Sequence, residues 1–411
     1  MDLFQKCRDY KRVDKAVELG VYPYFHKLTS GQDTEVIMGG HHTYMLGSNN
    51  YLGLTADPRI KEAAIEAVQR YGSGCSGSRF LNGNLDIHEK LEAELADFLH
   101  KEAAMIVSTG FQTNLAVISA IAGKDDVILS DQMNHASIID GTRLSFAKVV
   151  KYRHSNMADL ERRLQHLRDA EETHDAGLLI VTDGVFSMEG EICNLPGIVE
   201  LAKRYNARIL LDDAHALGVI GEGGRGTASY FGLEDEVDMI MNTFSKSLAS
   251  LGGAVVASSE VIRYLRHTSR PFIFSASITP AQTASARRAL EILREEPERV
   301  ERIHSLVRRV KDNFRDSKHV VVHNSGNELV PIIPLLTGTA GRTAFVANYL
   351  FENEIYVNPV FPPVVPANSC LLRMSLMATH SDEQIDRACE IIERCFREVD
   401  AMDLSEVNID F

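Results

Sequence analysis

Seven short apolar runs, set apart by stretches of helical periodicity, constrain this chain more than any other feature. The runs lie at residues 104–107, 126–130, 147–152, 177–182, 207–211, 237–241 and 253–257. Helical patterns fill most of the gaps, including 158–170 and 194–205. Strands alternating with helices imply a parallel or mixed sheet with helices on both faces. The expected fold is therefore α/β, a large domain around a mostly parallel seven-stranded sheet. Before it, residues 1–20 read as a helix and the chain to Tyr44 as an extended arm. Asp57 and Pro58 have the residue types of an N-cap and a first helical position, which predicts a helix over 57–71. A second amphipathic helix is expected over 87–99. Beyond about residue 280 the pattern changes. Long charged helical stretches (281–294, 297–315, 342–354, 381–398) surround short strand runs at 319–323, 329–336 and 370–376. The expected organisation is an arm over 1–44, a large domain over 45–280 and a smaller α+β domain over 281–411.

In an open α/β sheet, ligands bind beyond the C-terminal ends of the strands. The run 207–211 ends in Asp212 and Asp213, and His215 follows Asp212 by three residues. A turn after the strand can aim Asp212 and His215 at one ligand. Alone, this pattern also fits strand-end capping. The run 237–241 leads to Lys246, set among Thr243, Ser245 and Ser247 and before Gly252 and Gly253. A lysine at the mouth of a site can form a Schiff base with a carbonyl if its neighbours keep some of it neutral. Alone, Lys246 reads as a surface lysine in a loop. Together, the two strand ends supply a carboxylate for a pyridine nitrogen and an amine for an aldehyde, the pair of contacts that pyridoxal phosphate requires.

Composition excludes other classes. A formal charge of −14 argues against a nucleic-acid surface. The six cysteines are scattered without a Cys-x-x-Cys pair, which suits a reducing cytoplasm and gives no metal signature. No apolar run approaches 18 residues and no secretory signal is evident, so a soluble cytoplasmic protein is expected. Arg8, Lys11, Arg12 and Lys15 recur at helical spacing. They read as a solvated helix face, or as weak peripheral attachment to an anionic inner-membrane surface.

These motifs, in this order, resemble the fold-type I enzymes of pyridoxal phosphate, and within them the α-oxoamine synthases, which condense an amino acid with an acyl-CoA and release carbon dioxide. The resemblance runs from Asn49 through Leu54 (NNYLGL) to Leu371 through His380 (LLRMSLMATH). The run Ser108 to Asn114 (STGFQTN) follows a strand and opens a helix, where the free N–H groups of Gly110 and Phe111 would bind the cofactor phosphate. By resemblance, His135 in the run Asn134 to Ser137 stacks on the pyridine ring. Ser187, in the run Asp183 to Gly190, and His215 lie near the ring oxygen. Thr243 contacts the phosphate, and Ser275, in the run Arg270 to Ser277, reaches the phosphate of a partner subunit. That last contact implies a homodimer with shared active sites, although Ala276 stands where the family often has Thr or Asn. Arg373 matches the arginine that grips the substrate carboxylate, assisted by Asn50. Arg79, in a glycine-rich loop, is a further candidate contact to CoA or to the edge of the site.

Within the family, three segments lean toward the branch that joins L-serine to a long-chain acyl-CoA. They are Gly77 to Gly83 (GSRFLNG), Phe244 to Leu248 (FSKSL) and Pro362 to Pro366 (PPVVP). The third departs from that branch at Val364 and Val365, and Phe361 stands where some members carry a second arginine. The alternatives are the branches that use glycine with acetyl-CoA or make 8-amino-7-oxononanoate. On this expectation Lys246 is the base at the substrate α-carbon, Asp212 keeps the pyridine nitrogen protonated, and His135 orients the carboxylate.

Overall fold

The computed structural model describes residues 2–323, 327–402, 404 and 409. The chain forms two compact units. The larger comprises Asn49–Ser187 and Glu191–Arg302; the smaller comprises Met1–Ser48, Met188–Gly190 and Ile303–Phe411.

The larger unit is built on the seven apolar runs. They form strands β1 (Ala103–Val107), β2 (Val127–Asp131), β3 (Lys148–Tyr152), β4 (Leu178–Asp183), β5 (Ala207–Asp212), β6 (Met239–Thr243) and β7 (Gly253–Ala257). The sheet order is β1-β7-β6-β5-β4-β2-β3. Only β7 runs against its two neighbours; the other pairings are parallel. Strands β2, β4, β6 and β7 are buried at every residue. This explains why they read as continuous apolar runs and not as alternating ones. Helix Gly110–Ile121 lays Ala116, Val117 and Ile118 into a core with Met105, Val181, Leu210 and Val255.

One helix start follows the sequence rules closely. Asp57 accepts the Arg59 N–H at 2.9 Å, with Pro58 at the first position of helix Pro58–Tyr71. Helix Pro280–Glu295, placed by sequence in the C-terminal domain, packs on Pro58–Tyr71 and belongs to the larger unit.

The smaller unit holds an antiparallel sheet of Val321–Val322, Ile332–Gly338, Cys370–Ser375 and Asn358–Val360, in that order. Helices Ala340–Glu352 and Asp382–Asp400 bury Leu350, Ile392 and Phe396. The N-terminal residues differ from expectation. Instead of one helix over 1–20 there are two short ones, Gln5–Arg8 and Asp14–Glu18. The first buries no residue, and neither has a side-chain cap, so nothing sustains a longer helix. The expected arm contains a hairpin, Glu35–Met38 with His41–Met45. Its two-residue turn, Gly39 and Gly40, has φ of 60° and 89°, the left-handed pair that a tight hairpin turn requires. No helix among the described residues is long and apolar enough to cross a membrane.

Candidate active site

Strands β2, β4, β5 and β6 run parallel, so their C-terminal residues Asp131, Asp183, Asp212 and Thr243 gather at one edge of the sheet. A cavity of about 270 Å³ lies there, and Gly110, His135, Ser187, Asp212, His215 and Lys246 all line it.

One wall is the start of helix Gly110–Ile121. Thr109 is extended and caps the helix by accepting the Gln112 N–H at 3.1 Å. The first-turn N–H groups of Gly110 and Phe111 have no acceptor within the helix, and both residues border the cavity. A Cβ on Gly110 would sit 2.4 Å from Thr243 Oγ1, so only glycine allows the helix start and β6 to approach this closely. Thr243 Oγ1 in turn lies 3.0 Å from Ser245 Oγ. Backbone N–H groups, a positive helix end and two hydroxyls form a cradle for a phosphate.

The opposite wall is acidic. Asp212 accepts the Asn114 amide N–H at 2.6 Å and the Ala214 N–H at 3.1 Å. Asp213 has a separate set of contacts: it accepts the Thr227 N–H at 2.8 Å, and burial pushes its carboxyl up to about 7. Asp183 pairs in register with Asp212 and accepts the His135 N–H at 2.8 Å. Burial first, and then the nearby Asp212, push Asp183 well above the ordinary carboxylate range. His135 caps helix Ala136–Leu144, and burial holds its imidazole below the ordinary histidine value. His215 Nδ1 lies 2.7 Å from the hydroxyl of the fully buried Tyr51.

Lys246 occupies the loop after β6. Phe244, wholly buried, anchors that loop through N–H donation to Gly252 O at 2.9 Å and acceptance from the Ser250 N–H at 2.9 Å. The lysine is thereby held half-buried at the cavity mouth. The arrangement offers an anion cradle, a carboxylate, an imidazole and a primary amine around one small space. That donor set fits a phosphorylated pyridine aldehyde.

Four further predicted residues have hydrogen-bond partners of their own. Arg79 is not at the cavity: its guanidinium grips Glu92 in two bonds of 3.0 and 2.9 Å, with both side chains 4% exposed. The sequence reading missed that commitment because the buried carboxylate lies 13 residues away on helix Asp86–Phe98. Asn50 Oδ1 accepts the Leu54 and Thr55 N–H groups at 3.0 and 3.2 Å. Ser275 accepts a 3.1 Å hydrogen bond from Gln112 Nε2, one turn from the phosphate cradle. Arg373 sits buried in the smaller unit's sheet and donates to Ser375 Oγ at 2.7 Å.

Four site residues received no role from the sequence: Tyr51, Asn114, Ser137 and Asp183. Asn114 left one signal, a polar side chain on the apolar face of its helix.

Residues 42–392 match the aminotransferase class I and II family. The chain belongs to that family. Among its members, a serine palmitoyltransferase of Bacteroides ovatus is 48% identical over 400 residues, covering 97% of this chain and 99% of its own. An 8-amino-7-oxononanoate synthase of Lysinibacillus sphaericus is 42% identical, covering 93% of this chain and 96% of its own. A serine palmitoyltransferase variant from S. paucimobilis, solved with a bound PLP–myriocin aldimine, superposes with a TM-score of 0.92 at 33% identity, covering 98% of this chain and all of that one. The expected kinship with the α-oxoamine synthases holds within this family, and so does the expected seven-stranded α/β fold.

Proposed function

We propose that this chain is a pyridoxal-phosphate-dependent acyltransferase that condenses L-serine with a long-chain acyl-CoA to 3-ketosphinganine. The observation that carries the reading is the convergence of Lys246, Asp212, His135 and His215 on one cavity, in a chain aligned almost end to end with serine palmitoyltransferases. The N–H groups of Gly110 and Phe111 with Thr243 and Ser245 would hold the cofactor phosphate. Asp212 would meet the ring nitrogen, His135 the ring face, and His215 and Ser187 the ring oxygen.

When bound, pyridoxal phosphate supplies an electron sink for the pair left at the serine α-carbon. The chain's residues do the rest. Lys246 Nζ would hold the cofactor aldehyde before substrate arrives and would then take the serine α-proton. Asp212, fixed by Asn114 and Ala214, would accept from the N–H of the cofactor ring. By the resemblance, Arg373 and Asn50 are the candidates for the serine carboxylate. A bond forms from the serine α-carbon to the acyl carbonyl, the CoA thiolate leaves, the carboxylate departs as carbon dioxide, and a proton returns to the α-carbon. By the resemblance, Ser275 would reach the phosphate held by a second copy, so the working enzyme would be a homodimer.

Assaying serine and glycine, each against palmitoyl-CoA and acetyl-CoA, tests the reading. Serine with palmitoyl-CoA should turn over fastest; preference for glycine with acetyl-CoA would refute it. The 42% identical synthase supports a second reading, in which the product is 8-amino-7-oxononanoate and 3-ketosphinganine does not form. Lys246→Ala should lose turnover by at least about 10³-fold, as for removal of a residue acting in the chemical step. Retained activity would remove Lys246 from the centre of the mechanism.

A further inference from the structure

We infer that Asn114 and Ser137 are positioning residues that lock His135 into the neutral tautomer bearing its proton on Nε2. Four hydrogen bonds, read for direction, carry this. Asp212 as a carboxylate can only accept, so the Asn114 group 2.6 Å from Asp212 Oδ2 must be the amide nitrogen. The opposite amide orientation would set two oxygens against each other. The same nitrogen has a second N–H, and its partner is Ser137 Oγ at 2.9 Å. Ser137 therefore accepts from Asn114 and has its own proton to give. His135 Nδ1 is 2.7 Å from that hydroxyl. The backbone N–H of Ser137 reaches the same Nδ1 at 3.2 Å, as the cap of helix Ala136–Leu144. A ring nitrogen that receives two donors presents its lone pair and holds no proton. The proton of the neutral imidazole is then on Nε2, the only other ring nitrogen.

The relay also opposes a second proton. An imidazolium would carry N–H at Nδ1, which would point at the Ser137 N–H and force the Ser137 hydroxyl to turn from donor to acceptor. The titratable groups around the ring are Asp183, Asp212, His215 and Lys246. Asp212 favours the imidazolium, while burial and Lys246 oppose it. The relay adds to the second side. Asn114 is fully buried, and its one nitrogen serves both the Asp212 carboxylate and the His135 relay. The carboxylate and the imidazole are thus set by a single amide.

This inference rests on the proposed role of His135 beside the cofactor, but not on which amino acid or acyl-CoA is used. The test is nitrogen-15 NMR of histidine-labelled holoenzyme without substrate, with the His135 signal assigned through His135→Gln. Nδ1 should show the pyridine-type shift and Nε2 the protonated shift from pH 6 to 8. A protonated Nδ1 in the wild type would overturn the inference. Ser137→Ala removes the hydroxyl donor and should raise the His135 pKa by about 0.7 unit, the worth of one neutral hydrogen bond. The acid limb of the kcat profile should move up with it. Ser137→Thr keeps the hydroxyl and should restore both. An unchanged His135 titration in Ser137→Ala would show that the relay does not set the tautomer. A preference for glycine in the substrate assay would refute the serine assignment and leave these signals as expected.

Discussion

Two close contacts at the site make separable predictions. Gly110 faces Thr243 so tightly that a methyl group would need the space its hydroxyl fills. Gly110→Ala should push the helix start off β6 and open the phosphate cradle. Cofactor affinity is expected to fall by at least about tenfold, the worth of one charge-assisted hydrogen bond to phosphate. Titration of the apoprotein with pyridoxal phosphate, followed by absorbance, measures it; unchanged affinity would mean that these N–H groups do not hold the phosphate. Tyr51 acts differently. Its hydroxyl meets His215 Nδ1 within the protein, and the ring is wholly buried. Tyr51→Phe keeps the packing and removes that bond. A stability loss of about 1 kcal/mol is expected, together with a kcat reduction that exceeds any change in KM for serine. Chemical denaturation and steady-state kinetics on one preparation give both numbers; a change in KM alone would contradict the assignment. Residues such as Asp212 and Lys246 were legible in the sequence because the first ends a buried strand and the second follows one by three residues. Asn114 and Ser137 were not. Their role lies in the direction of hydrogen bonds to partners 98 and 23 residues away, which neither periodicity nor local spacing encodes.

Between elements, two ionic clasps hold the frame of the site. His154 joins the end of β2 to the segment after β4: it meets Asp131 at 3.0 Å and Glu191 at 3.3 Å, and packs edge-on against Phe186. Burial pulls its imidazole down, but the hydrogen bonds and charges of the two carboxylates outweigh this and raise it to about 10. An elevated histidine pKa contributes stability that is full below the unfolded value of about 6.5 and disappears as pH rises through the folded value. Wild type should therefore lose stability between about pH 7 and 10, and His154→Gln should lose less over the same range. Urea melts at three pH values decide it; parallel slopes would refute the clasp. The second clasp is Glu92, which binds Arg79, meets Arg266 Nη2 at 2.6 Å and accepts the Ile106 N–H at 2.9 Å. Removing the carboxylate leaves the buried Arg79 charge uncompensated, so Glu92→Ala should cost about 3–5 kcal/mol. A loss below 1 kcal/mol would show that Arg79 finds another partner. The strands and most helices of this frame were legible because burial on both faces leaves an unbroken apolar run. The hairpin at residues 35–45 was not, because the apolar Ile37 lies on the exposed face and His41 and His42 are exposed in succession, which breaks the alternation.

The molecule as a whole leaves a surface that a single copy does not cover. The loop from Gly77 to Gly83 is fastened to the segment after Ile273: the Ser277 N–H donates to Gly77 O at 2.9 Å, and its hydroxyl donates to Gly83 O at 2.8 Å. The joined loops present Leu81 and Phe274, each 76% exposed, beside Phe80. Apolar side chains held out by fastened loops favour association, because covering them releases water. Ser275 follows Phe274 directly and is tied to Gln112 in the first turn of the phosphate-binding helix. Association through this surface would therefore act on the cradle itself. Light scattering at micromolar concentration should give twice the chain mass of 45.6 kDa. The double variant Leu81→Glu with Phe274→Glu places like charges on the surface and should yield a folded monomer, checked by an unchanged far-UV spectrum. That monomer should bind pyridoxal phosphate more weakly, and its affinity should recover at high protein concentration as pairing is restored by mass action. A monomeric wild type would refute the surface as an interface. A monomeric variant with full cofactor affinity would confine the interface to assembly and separate it from the active site.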